Sequence, residues 1–399
     1  MAPASAQDHP SGAALEAPPG AHEAAVGTVS FATRSIALAS DTPASDITSA
    51  PSPFAAAFPR DADVVEAPGV RPDIISHHLA EPSEALAPGE GIRLDVGFLA
   101  TPDGLHLRTA HFRPRHGRIR NTFVFLPGKS APIEGLQDQI EYIVRRGHQV
   151  LALDWRSQGL SSRTYRTDVV HVNDFASEYA RDLQLFLDEI VLPQRRGAMV
   201  GVAYSMGAAI LISGLTQGIV AQDQFDRVFL LAPMTEARNL TTPLGRVALR
   251  LATVHGSVGR GGRYCWTTGD LDWEEEFRRY ASYTVRREEL ERMAEKCRVE
   301  PRLASGGPSW AWIAAYRRYV AGLSQVPDHA ITIPTVILLA QDDRIVCNDA
   351  TVRFARRCIK DHRIVELPDA HALELAGPAT ISRTGDMIVD MPAPWRLMD

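Results

Sequence analysis

The sequence predicts an α/β protein, with a mostly parallel eight-stranded sheet, helices on both faces and one large helical insertion. Three observations carry this. From about residue 92, short apolar runs alternate with stretches of helical period. The interior runs are rich in Val, Leu and Phe and bounded by turn residues, as in Thr122–Leu126. About a hundred residues separate the run ending at Leu231 from the one opening at Thr335, far more than a usual crossover needs.

Taken in order, Leu94–Leu99 and Leu105–Phe112 flank Thr101-Pro102-Asp103-Gly104, which is turn chemistry, and read as an antiparallel hairpin. Thr122–Leu126 is the third strand. Leu136, Ile140 and Ile143 recur at helical spacing, and Gly147 follows as a C-cap. Gln149–Leu153 is the fourth strand. Phe175, Tyr179, Leu183, Phe186 and Ile190 predict a helix with Asp174 as N-cap. Ala198–Ala203, Arg227–Leu231, Thr335–Ala340 and Arg363–Leu367 supply the last four strands. The insertion, residues 235–330, carries Trp266, Trp273, Trp310 and Trp312. It follows the carboxyl end of a strand, where ligand crevices open, and so reads as a lid or cap.

Charge divides the chain. Residues 1–90 hold three arginines, no lysine and 12 acidic residues, whereas residues 91–399 hold 39 basic and 36 acidic ones. The front segment also holds 22 of the alanines and 12 of the 27 prolines, with no apolar period, and is expected to be a mostly disordered acidic arm ahead of a domain spanning 91–399. Nothing in the balance offers the basic excess that a general nucleic-acid binder needs. Cys265, Cys297, Cys347 and Cys358 form no metal-site or disulfide spacing and read as free thiols. No run of 18 apolar residues and no secretory signal pattern is present, so the expectation is a cytoplasmic protein, with peripheral contact at an inner membrane surface left open.

The strongest local signal is Ala203-Tyr204-Ser205-Met206-Gly207, between the strand MVGVA and the apolar helix AAILISGL. This is the G-x-S-x-G nucleophile elbow with Ala for the first Gly. Residues two before and two after the serine must be small, because strand and helix approach closely there. A serine nucleophile needs a base, and the base needs an orienting carboxylate. The strand TVILLA runs into Asp342-Asp343-Arg344; Asp343 is chosen over Asp342 because Asp–Arg followed by apolar residues is the usual form. After the last strand comes His371, the expected base, with His171 as its main rival. Two amides are expected to face the developing oxyanion, those of Met206 and of Lys129 in Pro127-Gly128-Lys129. The Lys129 side chain is expected to be solvated, with contact to an anionic head group as the alternative.

From about residue 92 to 395 the chain resembles the α/β-hydrolases of the lysophospholipase and monoacylglycerol lipase group. The matching blocks are Pro127-Gly128-Lys129, Asp154–Ser161, His171–Phe175, the elbow, Ala232-Pro233-Met234, Gly306–Trp310 and the acid and base loops. The resemblance implies the α/β-hydrolase fold and a serine esterase acting on acyl esters of glycerol or glycerophospholipid, without metal or cofactor. It carries the triad onto Ser205, Asp343 and His371. The chain departs from the usual pattern at Ala203 and Tyr204 (usually Gly-His), at Ser157 (usually Gly) and at Ala372 (usually Glu). The Trp155–Ser161 and His171–Phe175 blocks are expected to shape the sheet edge and a helix cap. The leading expectation is acyl transfer from a lipid ester to water, with tryptophans of the cap lining the acyl pocket or forming the cap's own core. The alternatives are an acyltransferase or small-ester carboxylesterase on the same triad, and a degenerate hydrolase fold that only binds.

Overall fold

The computed structural model describes residues 85–390 apart from 166, 258–259, 266–267, 280–283 and 285. Residues 1–84, the bulk of the predicted acidic arm, lie outside the described residues, as does Trp266.

Eight strands form one sheet: β1 (Ile92–Ala100), β2 (His106–Pro114), β3 (Thr122–Leu126), β4 (Gln149–Leu153), β5 (Met199–Tyr204), β6 (Arg227–Leu231), β7 (Thr335–Ala340) and β8 (His362–Leu367). Their spatial order is β1-β2-β4-β3-β5-β6-β7-β8. The hairpin β1–β2 closes where the Gly104 amide donates to the Thr101 carbonyl at 3.0 Å. β2 pairs antiparallel with β4, and every later pair is parallel. The chain runs from β3 outward to β4, then crosses back over β3 to β5. The carboxyl ends of β3 and β5 therefore flank the point where strand order reverses, the usual ligand crevice of an open α/β sheet.

Interior strands are buried on both faces, and their alternation divides the core in two. Val124, Leu126, Leu151, Ala203, Leu230 and Ile337 point to one face. Phe123, Phe125, Val150, Tyr204, Phe229 and Val336 point to the other. The second face is covered by α1 (Gln137–Arg145), with Ile140 and Ile143, and by the C-terminal helix Pro378–Asp390, with Ile388. The first is covered by α2 (Glu178–Phe186) and α3 (Ser205–Thr216). α1 stops as its sequence dictates: Gly147 takes φ 85° and its amide caps the Val144 carbonyl at 2.9 Å.

Three details differ from the sequence reading. Regular helix begins at Glu178, not beside Asp174. Asp174 instead accepts from the Ala176 and Ser177 amides, capping a turn that buries Phe175 ahead of the helix. Beyond α2, Leu187–Val191 is wound as a π-helix, so Val191 takes the fully buried place expected for Ile190. Residues 85–90 also belong to the body rather than to an arm. Leu86 is buried against the α1 face, and the Gly89 amide donates to Glu141 at 3.0 Å.

Between β6 and β7 lie a turn of helix at Arg238–Thr241 and four longer helices, α4 (Pro243–Ser257), α5 (Trp273–Arg279), α6 (Arg287–Val299) and α7 (Trp310–Leu323). α7 is part of the main core. Trp312 meets Phe175 edge-on at 5.6 Å and stacks on Tyr316, and Trp310 stacks on His255 at 4.5 Å. Trp310 and Trp312 are therefore packing residues. The chain returns to the sheet through β7, α8 (Asn348–Cys358), β8 and α9, the C-terminal helix Pro378–Asp390. All four cysteines are free thiols. Among the described residues no helix is long and apolar enough to cross a membrane.

Candidate active site

Ser205 is the first residue of α3 and has φ 43°, a left-handed conformation imposed here by the sharp strand-to-helix turn. The turn is crowded. A Cβ on Gly207 would collide with the carbonyl oxygens of Leu126 and Pro127, which explains why glycine stands two residues after the serine. Ala203 is fully buried on the opposite side, where a methyl is accommodated. The loop after β6 supports the turn from below: Ala232 has φ 43° and the Met234 amide donates to the Ser205 carbonyl at 3.0 Å.

Two distant loops meet this serine. His371, beyond β8, places Nε2 2.9 Å from Ser205 Oγ and Nδ1 2.8 Å from Asp343 Oδ2, beyond β7. A carboxylate only accepts, so Nδ1 carries the hydrogen and Nε2 is free to accept the serine hydroxyl. The other oxygen of Asp343 accepts from the Ile345 and Val346 amides, both at 2.8 Å, which fixes the buried carboxylate. Asp342 is exposed; its amide donates to the Asp369 carbonyl at 3.1 Å, tying the acid and base loops together. His171 does not join them. Its Nδ1 lies 2.9 Å from Ser309 Oγ, its ring abuts Tyr165, and burial pushes its pKa down to about 4.

The loop Pro127–Ser130 lies alongside. At Gly128 a Cβ would sit 3.5 Å from the Ser205 Cβ, so this loop touches the serine. Among the described residues the Lys129 amide has no acceptor. The Met206 amide, in the first turn of α3, has no intrahelical acceptor either. The Trp155–Ser161 block, expected to shape the sheet edge, clamps this loop at both ends. The Trp155 indole donates to the Pro127 carbonyl at 2.8 Å, and the Ser130 amide donates to Gln158 Oε1 at 2.7 Å. Gln158 is buried and its Nε2 is 3.9 Å from Met206 Sδ. Sequence reasoning missed this, because bonds from side chains to the backbone of another loop leave no periodic trace.

Two departures from the usual pattern also become intelligible. Ser157 holds φ 61°, a glycine-type conformation, and its hydroxyl lies 3.0 Å from Thr164 Oγ1. Tyr204 points to the face opposite Ala203 and packs near Phe125, ring centroids 6.1 Å apart; its buried hydroxyl has no partner among the described residues.

The serine aminopeptidase S33 family matches residues 117–371, from just before β3 to His371 itself. The chain belongs to this S33 family. The S33 chain is an α/β-hydrolase resembling lysophospholipases and monoacylglycerol lipases. It is 28% identical over 260 residues to lysophospholipase L2 of Escherichia coli, covering 63% of this chain and 72% of that one. A soluble variant of Saccharomyces cerevisiae monoglyceride lipase superposes with a TM-score of 0.57 at 16% identity, over 77% of this chain and 96% of that one. Paleococcus ferrophilus monoacylglycerol lipase gives 0.52 at 16% identity, over 71% and 96%. These two likenesses concern the α/β-hydrolase fold alone.

Proposed function

We propose that this S33-family chain hydrolyses carboxylic esters of lipids, as a lysophospholipase or monoacylglycerol lipase, through an acyl-enzyme on Ser205. One observation carries the reading: the hydrogen-bonded relay Ser205–His371–Asp343, assembled from three loops. His371 takes the hydroxyl proton as Ser205 attacks the ester carbonyl. Asp343 holds the imidazole tautomer and stabilises the imidazolium. The amides of Met206 and Lys129 face the tetrahedral oxyanion, and the N-terminus of α3 adds its positive potential. His371 then protonates the leaving alcohol, and water, activated by the same imidazole, releases the fatty acid. The E. coli relative supports a lipid substrate. The helices at 235–330 act as a cap over the crevice, α7 doubling as part of the body.

The test is labelling by a fluorophosphonate probe, followed by rates on esters of increasing acyl length. Wild type is expected to label and Ser205→Ala to remain unlabelled. Equal labelling of both, or of neither, removes the nucleophile. A preference for acetyl over long-chain esters, or for aminoacyl anilides over any ester, removes the lipid reading.

The clamp on the loop yields a second expectation. Gln158→Leu leaves the Ser130 amide without its acceptor and loosens one oxyanion donor, so kcat on a p-nitrophenyl ester is expected to fall about tenfold to a hundredfold with KM little changed. Gln158→Glu keeps an acceptor oxygen and is expected to retain most of the activity. A rise in KM at constant kcat would assign Gln158 to substrate binding instead.

A further inference from the structure

Lys129 is a half-buried cation, and among the described residues no salt bridge joins it to a carboxylate within 4 Å. The side chain springs from the loop that touches Ser205, one residue beyond Gly128. Its only hydrogen bond among the described residues runs from Nζ to the Ser130 hydroxyl at 2.9 Å, a neutral partner. The acid whose field it feels is Glu276, on α5 of the insertion. Burial pushes the ammonium down to about 8, with Glu276 opposing that shift. A desolvated charge held so is short of compensation, and an anion arriving there gains more than it would at a solvated lysine.

Resting on the ester-hydrolase reading above, we infer that Lys129 anchors the substrate's head group: its ammonium takes the phosphodiester of a lysophospholipid while its own amide faces the scissile carbonyl oxygen. The lengths agree. In a glycerophospholipid with one acyl chain, the path from scissile carbonyl to phosphorus passes through an ester oxygen, the glycerol carbons and a second oxygen. That path is about as long as the path from a lysine amide nitrogen to its Nζ. A monoacylglycerol ends in a hydroxyl at that position and leaves the ammonium uncompensated. The side chain thus selects the lipid that bears a phosphodiester over the one that lacks it. Glu276 competes for the same cation from the insertion side and weakens the selection.

The experiment compares kcat/KM for decanoyl lysophosphatidylcholine and monodecanoylglycerol, which share an acyl chain and differ in head group. Wild type is expected to prefer the phospholipid. Lys129→Met is expected to cut the ratio of the two values about tenfold to a hundredfold, chiefly through KM of the phospholipid. Lys129→Arg should keep most of the preference, and Glu276→Gln should increase it. Fluorophosphonate labelling of Ser205 in each variant checks that the site is folded. A ratio unchanged in Lys129→Met, with both substrates slowed alike, overturns the inference, as does a wild-type preference for the neutral ester or a reduced preference in Glu276→Gln. Failure of wild type to turn over either ester, with Ser205 unlabelled, would strike the hydrolase reading itself.

Discussion

Replacing His371 by alanine is expected to lower kcat/KM on a carboxylic ester by about four to six orders of magnitude. The imidazole is the only group bonded to both Ser205 Oγ and Asp343 among the described residues. Without it the hydroxyl keeps its ordinary, very weak acidity, and the leaving alkoxide has no proton donor. Ser205→Ala should lose about as much. The double variant should lose no more than either single one, because the groups act as one unit. Asp343→Asn tests the third member separately. Its amide could still sit beside the ring, but it would favour the tautomer with hydrogen on Nε2, and a loss of about 10⁴-fold is expected. Steady-state kinetics on one soluble ester, with circular dichroism to show that each variant folds, decides all four. Additive losses, or a His371→Ala variant within tenfold of wild type, would contradict the relay.

The largest effect on stability is expected at Arg108, well away from the reacting atoms. Its guanidinium is buried, bonded to both oxygens of Glu134 at 2.8 and 3.0 Å and to Asp154 at 3.2 Å. Burial alone would lower its pKa, but the two carboxylates raise it above the ordinary guanidinium value. Asp154 further accepts from the Ile133 and Leu160 amides at 2.9 Å each, so one ion cluster joins β2, the end of β4 and the turn beyond the Pro127–Ser130 loop. Arg108→Met would leave two carboxylates in a site built for a cation, costing about 3–5 kcal/mol in urea denaturation at neutral pH. The sign with pH follows. Burial already pushes the Asp154 carboxyl up with Arg108 opposing, and without that opposition its folded-state pKa stays above the unfolded one, so the deficit should be full above the raised value and shrink as pH falls towards the ordinary carboxylate range. Arg108→Met combined with Asp154→Asn should cost less than the two changes summed. A deficit below 1 kcal/mol, or one independent of pH, would show that the cluster is not acting as a charged unit.

Much of this was written in the sequence in a form that local physics could read. TFVFL and TVILLA are strands because unbroken apolar residues bounded by turns suit a sheet covered on both faces. The elbow was legible because sterics leave few residues that can surround Ser205, and Asp343 and His371 because each follows a strand's carboxyl end. What stayed hidden was contact without period. Trp155 and Gln158 act on a loop some thirty residues earlier. Asp174 has the chemistry of an N-cap and spends it on a turn, while the π-helix at Leu187–Val191 shifts the buried register beyond what a constant period could foresee. Trp312 could not be assigned to a pocket or a core until Phe175 was seen against it.

Among the described residues the sheet ends on β1 at one rim and β8 at the other. An unpaired strand offers its backbone to any passing chain, and proteins that survive at high concentration guard that invitation. Here Arg93 and Asp95 decorate one rim, while Arg363 and Glu366 stand exposed on the other. A second molecule trying to extend either rim would have to strip water from those ions, so the arrangement disfavours open-ended stacking into fibrils.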